Sequence, residues 1–343
     1  MRGPSELISA FDRLQQRRPV LGFPLAVLQK YFEDQGGYLA ATITYYAFFA
    51  IFPLLLVLTT VLGFVLRGHT HLYTSIVDSA LGQLPVIGNE LQLGRLRGNG
   101  LALALGLMAA LWAGMGVFLA SQNAMNRLWG VPHARRPDFL RARGRSLVLL
   151  LLLGGGMLAT TVLGAVAGAG AGLGADFGAL WKIASFALGA IVNFGLFWVG
   201  FHVLAARGVG WRQLRGGAIA AAILYGGLQA LGGFFVDRVL RGASNTYGTF
   251  ALVIGLLSWI YLSVHVMLLA AEANVVAARR LWPRSFSILV EQPATAADRA
   301  ALAQRDRIEE RRQDETISVD FGGSTGEGGP RRDASGPPLE PGQ

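Results

Sequence analysis

The sequence contains no cysteine, which excludes disulfides, thiolate zinc sites and cysteine nucleophiles. Charge is scarce as well. Asp, Glu, Lys and Arg make up 15% of the 343 residues, against about 25% in an ordinary soluble domain. Lysine is almost missing: Lys30 and Lys182 stand alone among 30 basic residues, so the net charge of +9 is carried by arginine. The five histidines, His69, His71, His133, His202 and His265, are scattered, and no HExxH run accompanies them. There is no Walker A loop and no GxSxG elbow. These absences speak against hydrolytic and nuclease chemistry. The expectation is a protein that is not an enzyme, with no catalytic residues, no metal and no cofactor.

What is abundant is apolar sequence. Hydrophobic residues reach 52% and the mean hydropathy is +0.44. About 20 apolar residues carry a helix across a bilayer. Six segments qualify: Tyr38–Leu66, Leu101–Met125, Ser146–Ala171, Leu180–Ala206, Gly216–Val236 and Phe250–Ala278. The first is too long for a signal-peptide core and is read as a retained span. Pro53 inside it removes a backbone donor and predicts a kink. Arginines crowd alternate gaps, from Arg127 to Arg145, Arg207 to Arg215 and Arg279 to Arg284. They far outnumber Arg67, Arg95, Arg97, Lys182, Arg238 and Arg241 on the other side. Because cationic loops resist translocation, the crowded side is cytoplasmic.

The fold class is therefore all-α, a polytopic bundle of six transmembrane helices with both termini inside, in an inner membrane. Residues 1–37 read as a cytoplasmic amphipathic segment on anionic lipid, interrupted at Pro19 and Pro24. Residues 38–280 form the membrane domain. Residues 281–343 form a polar tail with one charged helical stretch near Ala296–Gln313, otherwise largely disordered. Residues Thr70–Gly94 suggest an extracytoplasmic cap. Trp129, Trp181, Trp211 and Trp282 fall at span ends, whereas Trp112, Trp198 and Trp259 fall inside spans and are expected to pack between helices. The basic residues follow this topology and form no nucleic-acid stripe. The expected partners are the bilayer, anionic headgroups at the basic loops and a possible second copy of the chain; nucleic acid is not among them.

Polar residues inside the spans are the candidates for function. Ser258, Tyr261, His265 and Glu272 recur at intervals that put them on one face of the sixth span. Glu272 reads either as a helix-end charge paired with Arg279, Arg280 or another loop arginine, or as a protonatable group at the mouth of a polar pathway. Thr42, Tyr45 and Tyr46 share a face of the first span before Pro53, and Asn123 lies on the second. These eight residues could line a cleft, although interhelical hydrogen bonds would use the same groups. Gly164, Gly168 and Gly172 form a small-residue ridge on the third span, suited to close packing within the chain or against a second copy.

Several strings resemble the YihY/virulence factor BrkB family. They are residues 40–55 (AATITYYAFFAIFPLL), Asn126-Arg127-Leu128-Trp129 with the arginine-rich loop that follows, and Trp211-Arg212 with Gly216-Gly217-Ala218. Tyr247-Gly248, Trp259-Ile260-Tyr261-Leu262 and Ala271-Glu272-Ala273-Asn274 complete the set. The resemblance covers about Leu28 to Arg280. It implies a six-span inner-membrane protein, and it supplies no agreed catalytic set. The family was once labelled ribonuclease BN, a name now regarded as misassigned; a transport role is suspected for it. The leading expectation is accordingly a transporter or permease-like protein of unknown substrate. The alternative is a non-transporting envelope scaffold acting through lipid or protein contacts, and ribonuclease activity is disfavoured.

Overall fold

The computed structural model describes residues 12, 14–16, 18–65, 100–170, 175–205, 209–235, 249–285 and 294–321. Helix α1 spans Pro19–Glu33, and six long helices follow: α2 (Gly36–Val65), α3 (Gly100–Leu128), α4 (Phe139–Gly170), α5 (Ala175–Leu204), α6 (Trp211–Phe235) and α7 (Thr249–Arg279). A shorter helix, α8 (Ala296–Asp306), lies in the C-terminal segment. No strand occurs among the described residues. Five of the long helices carry stretches long and apolar enough to cross a membrane. The chain is thus an all-α, multi-pass membrane protein. Helix α4 is the longest, but it opens with Arg141, Arg143 and Arg145 and begins seven residues before the expected span.

Each long helix packs on the next, and α7 returns to α2, so the six close into a ring. Helix α7 forms its most enclosed member: 39% of its apolar stretch is buried, against 17% for α5. The core concentrates at one end of the ring. There Ala120, Ala124, Met125, Leu128 and Trp129 meet Phe201 and Leu204, Leu214 and Ala218, and Leu268, Val275 and Val276. At the same end Arg145 donates to the carbonyls of Val203 and Ala205 at the end of α5, where backbone carbonyls run out of intrahelical partners. A cation placed there also complements the helix dipole.

Small residues permit the closest approach. The Gly217 amide of α6 donates to Asn274 Oδ1 of α7 at 2.7 Å. A Cβ on Gly217 would lie 2.3 Å from Asn274 Nδ2 and 2.4 Å from the Ala270 carbonyl oxygen. A Cβ on Gly216 would meet nothing within 4 Å. Gly217→Ala should therefore cost about 1–3 kcal/mol through overpacking, while Gly216→Ala leaves stability level or raises it. Thermal unfolding of both variants in detergent checks this contrast.

Several expectations need correction. Pro24 does not interrupt α1; Pro19 occupies its first position, and the helix runs through Pro24 to Glu33. Pro24 lies on the exposed face, and burial of Ala26, Val27 and Tyr31 holds the opposite face against the bundle. The α1 segment is thus packed protein, although Leu14, Leu21, Leu28 and Phe32 stay exposed on its other side. Trp129 is 2% exposed, a core residue with no access to headgroups, and Trp112 is 74% exposed, facing out of the bundle. Both outcomes depend on helix rotation, which apolar composition does not encode. The expected helical stretch near Ala296–Gln313 is present as α8 and a following 3-10 turn to Glu309, with irregular chain described to residue 321. Residues 322–343 and the Thr70–Gly94 cap lie outside the described residues. Pro53 sits inside α2, which continues past it to Val65.

Candidate functional site

The site is assembled where α1 lies against the core end of α7. Helix α1 presents Ala26, Val27, Lys30, Tyr31 and Asp34 to the bundle, because the spacing of three and four puts them on one face. Helix α7 presents Tyr261, His265 and Glu272. Glu272 is fully buried, and its Oε2 lies 3.3 Å from Lys30 Nζ, whose side chain is 5% exposed. Lys30 Nζ also donates to Asp34 Oδ2 and, at 3.0 Å, to the carbonyl of Leu128 at the end of α3. Two ammonium hydrogen bonds and one ion pair thus hold the lysine. One lysine ties α1 to both α3 and α7. Burial works against its charge, but the adjoining Glu272 and Asp34 carboxylates outweigh that and raise its pKa above 10.5.

The aromatic groups extend the same face. The Tyr31 and His265 rings lie 5.6 Å apart, and Tyr261 and His265 stack edge-on at 4.2 Å. His265 Nδ1 is 3.0 Å from the Tyr261 carbonyl, one turn back along α7. Burial, then the neighbouring Tyr261 and Glu272, push the Tyr31 phenol up to about 12. Beside Lys30 the space between α1 and α8 is only about 10 Å3, at the lower limit for a single water. Packing between α1 and α8 is tight at this point.

The eight candidate residues do not converge. Tyr261, His265 and Glu272 join the α1 cluster. Tyr45 and Tyr46 remain largely exposed, in ring contact with each other and, for Tyr45, with Phe49. Tyr46 covers Gly116 of α3, where a Cβ would lie 2.7 Å from its ring. The Thr42 hydroxyl donates to the Tyr38 carbonyl of its own helix, and Asn123 and Ser258 are exposed. Among the described residues, no hydrogen bond or ring contact links these five to the cluster. Gly164 and Gly168 fall within α4, Gly172 lies outside the described residues, and so does the packing of that ridge.

The partner of Glu272 corrects the expected pairing with Arg279 or Arg280, both of which are exposed. Lys30 and Asp34 were missed because they precede the spans. Their one signal was a rare lysine four residues before an aspartate, a spacing that pairs them on a helix. A second latch was missed too. Arg284, 4% exposed, donates twice to Glu33 at 2.8 Å and once to Asp298 at 3.0 Å. Asp298 Oδ2 also accepts from Ser285 and Thr295, closing a capping box at the start of α8. Although burial opposes its charge, the Ser285 and Thr295 hydrogen bonds hold the Asp298 carboxyl below its ordinary range.

Among the described residues no three His, Asp or Glu side chains gather as a metal site. A ring of apolar helices, sealed at one end by buried ion pairs from peripheral helices, defines a multi-pass integral membrane protein. The chain belongs to the virulence factor BrkB family, whose profile matches residues 27–287. That range takes in Lys30 and Asp34 at one end and Arg284 at the other. The chain is similar to the inner membrane protein YhjD of Escherichia coli (strain K12), with 23% identity over 285 residues, 78% of this chain and 84% of that one. It is also similar to a UPF0761 membrane protein of Aromatoleum aromaticum, 30% identical over 251 residues, covering 68% and 58% of the two chains. The Bacillus subtilis (strain 168) protein YfkH, named a putative ribonuclease-like protein, is 23% identical over 278 residues, covering 76% of this chain and 96% of its own. No solved structure matches the chain.

Proposed function

We propose that this protein is a permease-like transporter with six spans and both termini in the cytoplasm. Its pathway runs between α2, α3 and α7, and the Lys30–Asp34–Glu272 cluster shuts that pathway at the arginine-rich end. One observation carries the reading. Glu272 is fully buried within a span, and the cation that meets it comes from a helix outside the spans. An ionisable group inside a membrane segment costs several kcal/mol and accompanies ion or substrate pathways. A buried ion pair contributes little net stability over apolar packing, so stability alone does not account for it. The cluster also sets two carboxylates against one ammonium. An added proton or cationic substrate group would complete its charge. The reading assigns the protein no catalytic step and no nucleic-acid partner.

The test is solute flux by purified protein in sealed liposomes, across a panel of ions, metabolites and lipids. Flux should appear, and Glu272→Gln should alter its rate. Absence of flux across the panel, or identical flux in the variant, contradicts the proposal. Absence of flux combined with loss of assembly on Gly164→Leu would favour the scaffold reading.

A further inference from the structure

A cavity of about 1050 Å3 opens at the arginine-rich end, at the ends of ring helices and next to the Lys30 cluster, with which it shares Gln304. Its walls come mainly from two parts of the chain, with Arg279 and Leu281 at the end of α7 adding a third side. One is the α3–α4 connection with the first turns of α4. The other is the C-terminal segment, α8 and the residues after it. The walls are fastened to each other. The Ala134 amide donates to the Glu310 carbonyl at 3.0 Å, His133 Nδ1 meets the Ile308 carbonyl, and Gln304 Nε2 donates to the Leu128 carbonyl at 3.1 Å. The chamber therefore exists because the C-terminal segment folds back.

Its lining is predominantly cationic. Arg135, Arg136, Arg141, Arg279 and Arg307 outnumber the lining carboxylates Asp138 and Glu310, while Arg145, also at the wall, donates to the end of α5. Those two carboxylates neutralise little: Asp138 makes a 3.6 Å solvent-exposed pair with Arg141, and Glu310 accepts from the Ile317 amide. Arg135 and Arg307 are exposed into this space, as is Arg279. Burial, then the neighbouring Arg127 charge, pull the Arg136 guanidinium below its ordinary value against the smaller opposing effect of the Glu309 carboxylate. Positive charge is left in excess within a walled space. Its volume is at the upper end of ligand pockets, about 300–1000 Å3, and far above what one phosphate ion fills. Planar guanidinium forks match phosphate oxygens in pairs.

We propose that this chamber binds a phosphate-bearing anion of two or more negative charges, held between the α3–α4 connection and the C-terminal segment. The anion is either a soluble phosphorylated solute or a phospholipid headgroup entering from the bilayer edge. The site stands independently of the transport reading.

The experiment uses full-length protein in phosphatidylcholine nanodiscs. Calorimetric titration with inorganic pyrophosphate probes the soluble source, and native mass spectrometry of discs doped with phosphatidic acid probes the lipid source. Saturable binding of either probe is expected, weakened at least about tenfold in Arg135→Gln/Arg141→Gln/Arg307→Gln. These side chains are exposed, so the variant should fold; Arg307→Glu alone, on the tail wall, serves as the second variant. Arg212→Gln/Arg215→Gln/Arg280→Gln, which removes the same charge outside the chamber, should bind as the wild type does. Pyrophosphate binding assigns the site to a soluble anion, and phosphatidic acid binding alone assigns it to a headgroup. Absence of saturable binding of both probes, or equal loss in the control variant, overturns the proposal.

Discussion

Lys30→Met should destabilise the protein by about 3–5 kcal/mol, because it strands two carboxylates in a dry interior. Glu272 is fully buried, and neither of its oxygens has a hydrogen bond among the described residues, so the Lys30 charge is its compensation. The space beside Lys30 is about 10 Å3, room for one water at most, and water is a poor substitute for a buried ammonium. Adding Glu272→Gln to Lys30→Met should recover a large part of the loss, since the uncompensated charge is then reduced. Glu272→Gln alone should cost less than Lys30→Met, because Lys30 keeps Asp34 and the Leu128 carbonyl. The sign with pH follows. A lysine held above its ordinary value contributes stability that is complete through neutral pH and is lost only as pH rises past the lysine range. Thermal unfolding of the four proteins, with the double-mutant cycle they form, reads all of this. A double-variant loss equal to the sum of the two single losses would remove the coupling.

Arg284→Gln should free the C-terminal segment. The guanidinium is buried between Glu33 of α1 and Asp298 of α8, so removing it costs about 3 kcal/mol and leaves Asp298 without its cation. Local release is the expected form of that loss, because α8 is short and its burial is limited to Ala297, Asp298 and Ala301. Hydrogen exchange across 296–306 should accelerate sharply while α7 stays protected. Asp298→Asn should act in the same direction. Acid should imitate both. A carboxyl held below its ordinary value contributes docking that is complete above the carboxylate range and fades as pH falls beneath it. Unchanged exchange over α8 in Arg284→Gln would show that the segment is held elsewhere.

The spans were legible because lipid leaves the backbone few options, and length with hydropathy reads that constraint directly. The polar face of α7 was legible for a similar reason, since Tyr261, His265 and Glu272 keep helical spacing whatever surrounds them. Their direction was not. Glu272 was expected to find an arginine close by in sequence, and the fold instead delivered Lys30 from the far end of the chain. Rotation about a helix axis also decided Trp112 and Trp129, whose exposure reversed the expectation. Thr295 and Asp298 carry a capping box visible in the letters, yet nothing local announces that Arg284 would bridge that cap to Glu33.

The central claim is that α1 is docked on α7 and locks the arginine-rich end. The cysteine-free chain allows a direct measurement: Tyr31→Cys with His265→Cys, at positions whose rings lie 5.6 Å apart, treated in membranes with a short bismaleimide. A protease site placed between α1 and α7 is then cleaved. Docking predicts that the two fragments of the paired variant migrate as one band while those of either single variant separate. Separation of the paired fragments after complete labelling would contradict it.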